Sequence, residues 1–182
     1  MRKLMIASDL HGSADFCRAM LTAFEKEQAD TLLLLGDLLY HGPRNDLPQG
    51  YQPKAVIKML NPYADRILSV RGNCEAEVDQ MVLDFPVLSD FCMLYWGERR
   101  VLATHGHHYH KDHLPPMKTG DILLYGHTHI PLKEEINGVL CLNPGSVSLP
   151  KGGSCHSYMI AEEHTLMWKN LEDGEVYQTC DL

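Results

Sequence analysis

The sequence predicts an α/β fold in which two mixed β-sheets pack face to face as a sandwich flanked by helices, and three observations predict it. The first half alternates continuous apolar runs with helical periodicity, the pattern of buried parallel strands joined by crossover helices. The second half consists of strand-like runs paired about short turn sequences, the mark of antiparallel hairpins. A chain of 182 residues has room for one domain with a real core and is short for two, so residues 1–182 are read as a single domain.

The elements follow in order. Leu4-Met5-Ile6-Ala7 and Thr31-Leu32-Leu33-Leu34-Leu35 are apolar throughout and bounded by turn residues, as strands covered on both faces require. Between them Phe16, Met20, Ala23 and Phe24 recur at helical spacing, with Ser13 placed to cap the helix and Asp15 in its first turn. A second helical stretch, Lys54 to Leu60, leads into a strand-like run from Arg66 to Val70, giving three parallel strands. Then come hairpin signals. Phe91 to Trp96 and Arg99 to Thr104 flank Gly97-Glu98; Glu134 to Ile136 and Val139 to Cys141 flank Asn137-Gly138; Leu166 to Leu171 and Val176 to Thr179 flank Asp173-Gly174. The polar stretch from Tyr40 to Gln52 reads as a long loop, and it is placed over the site because long loops in compact domains carry function.

Composition excludes several classes. A net charge of −8 with scattered Lys and Arg argues against a broad nucleic-acid-binding face. No run approaches the roughly 20 apolar residues of a membrane span. The first apolar run meets Asp9 after Leu4 to Ala7, too short for a signal-peptide core, so a cytoplasmic location with no membrane partner is expected. The 6 cysteines (17, 74, 92, 141, 155 and 180) are far apart with no C-x-x-C pair, which predicts reduced thiols. Oligomeric state is left open, a homo-oligomer included.

The chemistry is concentrated in short segments: Asp9-Leu10-His11-Gly12, Gly36-Asp37, Gly72-Asn73-Cys74-Glu75, His105-Gly106-His107 and Gly126-His127-Thr128-His129. Most follow a strand-like run, so their Asp, Asn and His side chains can converge at one edge of a sheet and bind hard or borderline divalent cations. Singly, each segment is an ordinary strand-end turn or cap. In this order, with this mix of donors, they describe a two-metal hydrolase. His108, His110 and His113 read instead as a solvated polar loop, and His156 and His164 as structural.

The ordered series D-x-H, G-D, G-N-x-[E/D], G-H and G-H-x-H resembles the calcineurin-like metallophosphoesterase superfamily. With Gly72-Asn73-Cys74 and Asn143-Pro144-Gly145-Ser146 it resembles the small bacterial and archaeal phosphodiesterases of that superfamily. The resemblance implies a metal-dependent phosphodiesterase acting on a small phosphodiester substrate, with a bridging hydroxide as nucleophile. It implies two divalent metal ions, one held by Asp9, His11, Asp37 and His129 and the other by Asp37, Asn73, His105 and His127, Asp37 bridging. Manganese is the first expectation, with Fe, Zn, Co and Ni as alternatives. The segment Asn143 to Ser146 would shape the site floor. Cys74 departs from the superfamily's better-known members, which carry a histidine there to assist the leaving oxygen; an uncharged thiol should disfavour monoesters, and His41 or His107 would supply a proton instead. Two rival readings stand beside this one: a phosphomonoesterase or nucleotide phosphatase on the same site, and a protein-binding scaffold like the retromer subunit that shares this small form of the fold.

Overall fold

The computed structural model describes residues 3–182. Among the described residues the strands form two mixed sheets. Strand β1 (Leu4–Ala7) leads into helix α1 (Ala14–Lys26), and β2 (Thr31–Leu34) returns parallel to β1. Helix α2 (Pro53–Leu60) runs into a 3-10 turn at Asn61–Arg66 before β3 (Ile67–Ser69), which pairs parallel to β2, and a short helix α3 (Glu77–Gln80) follows. Next come β4 (Phe91–Trp96), β5 (Arg99–Thr104), β6 (Ile122–Leu124), β7 (Leu132–Ile136) and β8 (Val139–Asn143); the chain closes with β9 (Ser157–Glu162), β10 (Thr165–Asn170) and β11 (Val176–Asp181). The first sheet has the order β11-β10-β9-β1-β2-β3 and the second the order β4-β5-β6-β8-β7.

The expected hairpins are all present, but they divide between the sheets. The β4–β5 and β7–β8 pairs belong to the second sheet, while β10–β11 joins the first, where β9 pairs antiparallel with β1. The second sheet is also not made of hairpins alone: β5, β6 and β8 run parallel to one another. Strands β6 and β9 and helix α3 correspond to no expected element. Strand β3 is shorter than the expected Arg66 to Val70 because Asn61–Arg66 winds as a 3-10 turn up to its first residue.

Both faces of β1 are covered, as an unbroken apolar run requires. Met5 and Ala7 face the helices with Leu32 and Leu34, while Ile6 faces the second sheet with Leu33, Trp96, Ile122, Leu142 and Trp168. Helix α1 is capped by Ser13, whose hydroxyl accepts the Phe16 N–H at 3.3 Å. Its buried stripe is Ala14, Cys17, Met20, Leu21 and Phe24. That face is rotated from the expected one: Phe16 is only partly buried and stacks on His156 at 4.0 Å between ring centroids. Helices cover the first sheet only. The outer face of the second is closed by Leu114 and Met117 from a loop, packed on Leu102, Leu123, Tyr125 and Cys141. No helix among the described residues is long and apolar enough to cross a membrane.

Candidate functional site

Each chemical segment follows the carboxyl end of a parallel strand: Asp9 and His11 after β1, Asp37 after β2, Asn73 after β3, His105 after β5, and His127 and His129 after β6. Parallel strands put all their carboxyl ends at one edge, and both sheets present that edge to the same place. The turns there are forced. Asp9, His11, Asp37, His127 and His129 all have positive φ, between 50° and 64°, a conformation that costs a non-glycine residue on the order of 1–2 kcal/mol. Contacts from several elements impose it. His11 N–H donates to the Asp37 carbonyl at 2.8 Å, His127 N–H to Asp9 Oδ2 at 3.0 Å, and the Ser146 and Ser148 hydroxyls to the Asp9 carbonyl at 2.8 and 2.9 Å. Asn143 Nδ2 donates to the Gly126 carbonyl at 2.7 Å, so the Asn143 to Ser148 segment buttresses the turns that carry Asp9, His127 and His129.

Seven expected ligands are brought together. His11 Nε2 lies 3.2 Å from His129 Nε2 and 3.6 Å from Asp9 Oδ1, and His129 Nε2 lies 3.2 Å from the same oxygen. On the other side His105 Nε2 is 3.2 Å from Asn73 Oδ1, 3.2 Å from His127 Nδ1 and 3.5 Å from Asp37 Oδ2. Asp37 Oδ2 sits between the two groups, 3.8 Å from His11 Nε2.

These atoms are arranged as acceptors facing acceptors. His11, His105 and His129 each bond a backbone carbonyl through Nδ1, to Tyr40, Leu35 and Leu149 at 2.8, 2.6 and 2.6 Å. A carbonyl only accepts, so each Nδ1 carries the proton and each Nε2 turns a lone pair toward the cluster. Asp9 Oδ1 is buried with no hydrogen-bond donor. Two imidazole lone pairs at 3.2 Å beside a bare carboxylate oxygen need a cation, and the nitrogen and oxygen donor set suits a borderline divalent metal. Where no cation is bound, a proton on an imidazole Nε2 meets the same demand for positive charge. Burial disfavours an ionised Asp9, yet His11 and His129 hold its carboxyl well below the usual range. Burial likewise opposes a charged His105, yet Asp37 and Asp9 hold its imidazole up at about 9.

Glu75, quoted in a motif but given no role, proves to be a clamp. Its carboxylate is buried and accepts the N–H groups of Asp37 at 2.9 Å, Leu38 at 2.7 Å and Gly72 at 2.5 Å, locking the Asp37 turn to the Asn73 turn. Gly72 is required by that approach, since a Cβ there would collide with the Asp37 carboxylate.

A cavity of about 350 Å³ opens beside the cluster, lined by Asp37, Asn73, Cys74, His127, Thr128 and His129 together with Gly42 to Asn45 and Lys151. The loop after Tyr40 therefore does overhang the site. Neither Arg44 nor Lys151 lies in a recognisable motif, so the sequence pattern alone does not reveal their place on this wall. Burial and the Asp37 charge push the Cys74 thiol up, so it stays protonated. Of the two expected proton donors, neither lines this cavity. His41 is edge-on to the Tyr51 ring at 5.3 Å, and His107 lies 5.4 Å from the His105 ring, pushed down to about 4 by burial and by His105.

Known proteins share this architecture. A family model described as the calcineurin-like phosphoesterase superfamily domain matches residues 2–166. Phosphodiesterase YfcE of Escherichia coli strain K12 is 43% identical over 176 residues, covering 97% of this chain and 96% of that protein. The solved structure of the E. coli phosphoesterase superposes with a TM-score of 0.95 at 42% identity, over 98% of each chain. A Vps29 variant from Entamoeba histolytica shares the fold at a TM-score of 0.65 and 20% identity, over 99% of each chain. By family model, by sequence and by fold, the chain belongs to the calcineurin-like phosphoesterase superfamily.

Proposed function

We propose that the protein is a phosphodiesterase working through two divalent cations, most simply manganese, on a small phosphodiester. Asp9, His11, Asp37 and His129 would hold one ion and Asp37, Asn73, His105 and His127 the other. The observation that carries this reading is the position of Asp37 between two groups of inward lone pairs. When bound, such a pair of ions makes water a competent nucleophile near neutral pH and draws charge from the phosphoryl oxygens. The chain's own part is to hold the donors. Backbone carbonyls set the imidazole tautomers, Glu75 fixes the turns of Asp37 and Asn73, and the Asn143 to Ser148 segment supports Asp9. Cys74 lines the cavity as a neutral thiol, so this position offers no positive charge to a monoester dianion or its leaving oxygen. On this proposal residues 1–182 make one domain, and the free cysteines among the described residues favour the cytoplasm.

Metal analysis of purified protein should give two ions per chain at saturation, and an aryl phosphodiester should be hydrolysed with a higher kcat/KM than the matching monoester. Asp37→Asn should lower both metal stoichiometry and activity, because each ion loses a charged partner. One ion with full activity would remove the dinuclear mechanism. A better rate on the monoester would make the protein a phosphomonoesterase.

A further inference from the structure

Two cations reach the cavity from loops that contribute no ligand. Arg44 comes from the loop after Tyr40 and Lys151 from the segment after Ser148. Both loops are fixed to the ligand cluster. Lys151 N–H donates to the His129 carbonyl at 3.1 Å, and His11 Nδ1 donates to the Tyr40 carbonyl at 2.8 Å. Lys151 Nζ donates to Asn45 Oδ1 at 3.3 Å, joining the loops across the cavity, and Asn45 Nδ2 in turn donates to the His41 carbonyl at 2.9 Å.

Among the described residues, neither Arg44 nor Lys151 pairs with a carboxylate; Lys54, Lys58 and Lys118 are also without one, but Arg44 and Lys151 share the wall of the cavity beside the ligand cluster. In a chain of net charge −8, two unpaired cations on the wall of one cavity call for an anion. Asp37 lines the same cavity but forms no ion pair with either cation: its Oδ2 faces the imidazoles of His11 and His105, and Asp9 is held against His129.

We propose that Arg44 and Lys151 form an anion subsite that takes a second phosphoryl group, carried on the non-leaving ester arm of the diester; the assignment rests on the phosphodiesterase reading of the same cavity. A terminal phosphate carries close to two negative charges near neutral pH, matching the two cations, where a carboxylate arm would leave one unmatched. The guanidinium offers a planar fork to two phosphate oxygens and the ammonium a point charge to the third. Thr128, also on the cavity wall, adds a hydroxyl.

The test uses manganese-loaded protein and thymidine 5′-(4-nitrophenyl phosphate) with and without a 3′-phosphate, so the leaving group is constant. The wild type should prefer the 3′-phosphorylated diester by about tenfold or more in kcat/KM, carried by KM and shrinking as salt rises. In the double variant Arg44→Gln/Lys151→Gln the ratio should fall toward one. Calorimetric binding of thymidine 3′,5′-bisphosphate to the loaded protein should weaken in parallel, by about tenfold. A wild-type ratio of one, a ratio unmoved by the double substitution, or an equal loss on both diesters overturns the subsite. No hydrolysis of either diester, with bisphosphate binding still lost in the variant, overturns the diesterase reading and leaves the anion subsite standing.

Discussion

Replacing Glu75 tests whether the site is clamped or merely gathered. The carboxylate is 6% exposed; one oxygen receives two backbone N–H groups and the other receives one. In Glu75→Gln the amide oxygen can keep the Asp37 and Gly72 donors, but the amide NH2 then faces the Leu38 N–H. One charge-assisted bond is lost and a buried donor is stranded, which costs about 2–3 kcal/mol. Glu75→Ala strands all three N–H groups and should cost roughly 4–5 kcal/mol, still within the 5–15 kcal/mol typical of a folded domain. Burial and the Asp37 charge push the Glu75 carboxyl up to about 7 against its backbone donors; cations bound at Asp37 would offset that charge, so the comparison belongs in manganese-loaded protein at pH 8, where the carboxylate is ionised. Urea unfolding followed through the buried Trp96 and Trp168 gives the stability. Calorimetric manganese titration should show affinity weakened by about 10- to 100-fold, because Asp37 and Asn73 lose their common support. Stability of Glu75→Gln within about 0.5 kcal/mol of wild type, at unchanged m, would refute the clamp.

Further outcomes follow from other groups. Cys74→Ala should fold, bind metal and keep most of its activity on an aryl diester, because the thiol is neutral and too weak an acid to be a good proton donor; a loss of several orders of magnitude in kcat with metals bound would refute this. Burial disfavours an ionised Glu27, yet Lys169, Tyr158 and Lys3 hold its carboxyl below the ordinary glutamate range. A depressed pKa contributes stability that is present above the unfolded value, about 4.3, and lost as pH falls through the folded one. Glu27→Gln should therefore flatten the acid limb of the urea-stability curve, and identical limbs would refute the assignment. Phe24 is fully buried between α1 and the first sheet, with the Arg66 guanidinium 4.3 Å above its ring; Phe24→Ala should cost about 3–5 kcal/mol, read by the same unfolding experiment.

The site was legible where its chemistry is local in sequence. Asp9, Asp37 and His127 each sit beside a glycine or one residue from a second motif member, just after a strand, so order and spacing reveal them. What the neighbours do is not local. Ser146 and Ser148 act on Asp9 from more than 130 positions away; resemblance places the Asn143 to Ser146 segment at the site floor, but nothing in the surroundings of Ser148 marks it as a support of Asp9. Arg44 and Lys151 are single cations in polar loops, and only the fold puts them on one cavity. The same divide runs through the architecture. Asn137-Gly138 announces a hairpin, but which sheet a hairpin joins depends on long-range pairing. β6 is 3 residues long, too short for any period to show. The buried stripe of α1 is turned away from Phe16 because that ring stacks on His156, from a distant loop.

The place of β1 between β2 and β9 has a consequence for how the chain is made. Leu4 is paired with Thr31 on one side and with Ala161 on the other. During synthesis the β1-α1-β2 unit emerges early, and one edge of β1 stays without its partner until β9 has left the ribosome. At ordinary elongation rates that wait is on the order of ten seconds. Through that interval the nascent chain exposes an apolar strand edge, and a message truncated after β8 would yield a product that cannot close its first sheet. Asp9, at the end of that strand, acquires the Ser146 and Ser148 hydroxyls only after the second sheet has been translated, so the full support of its carboxylate comes late in the biogenesis of this protein.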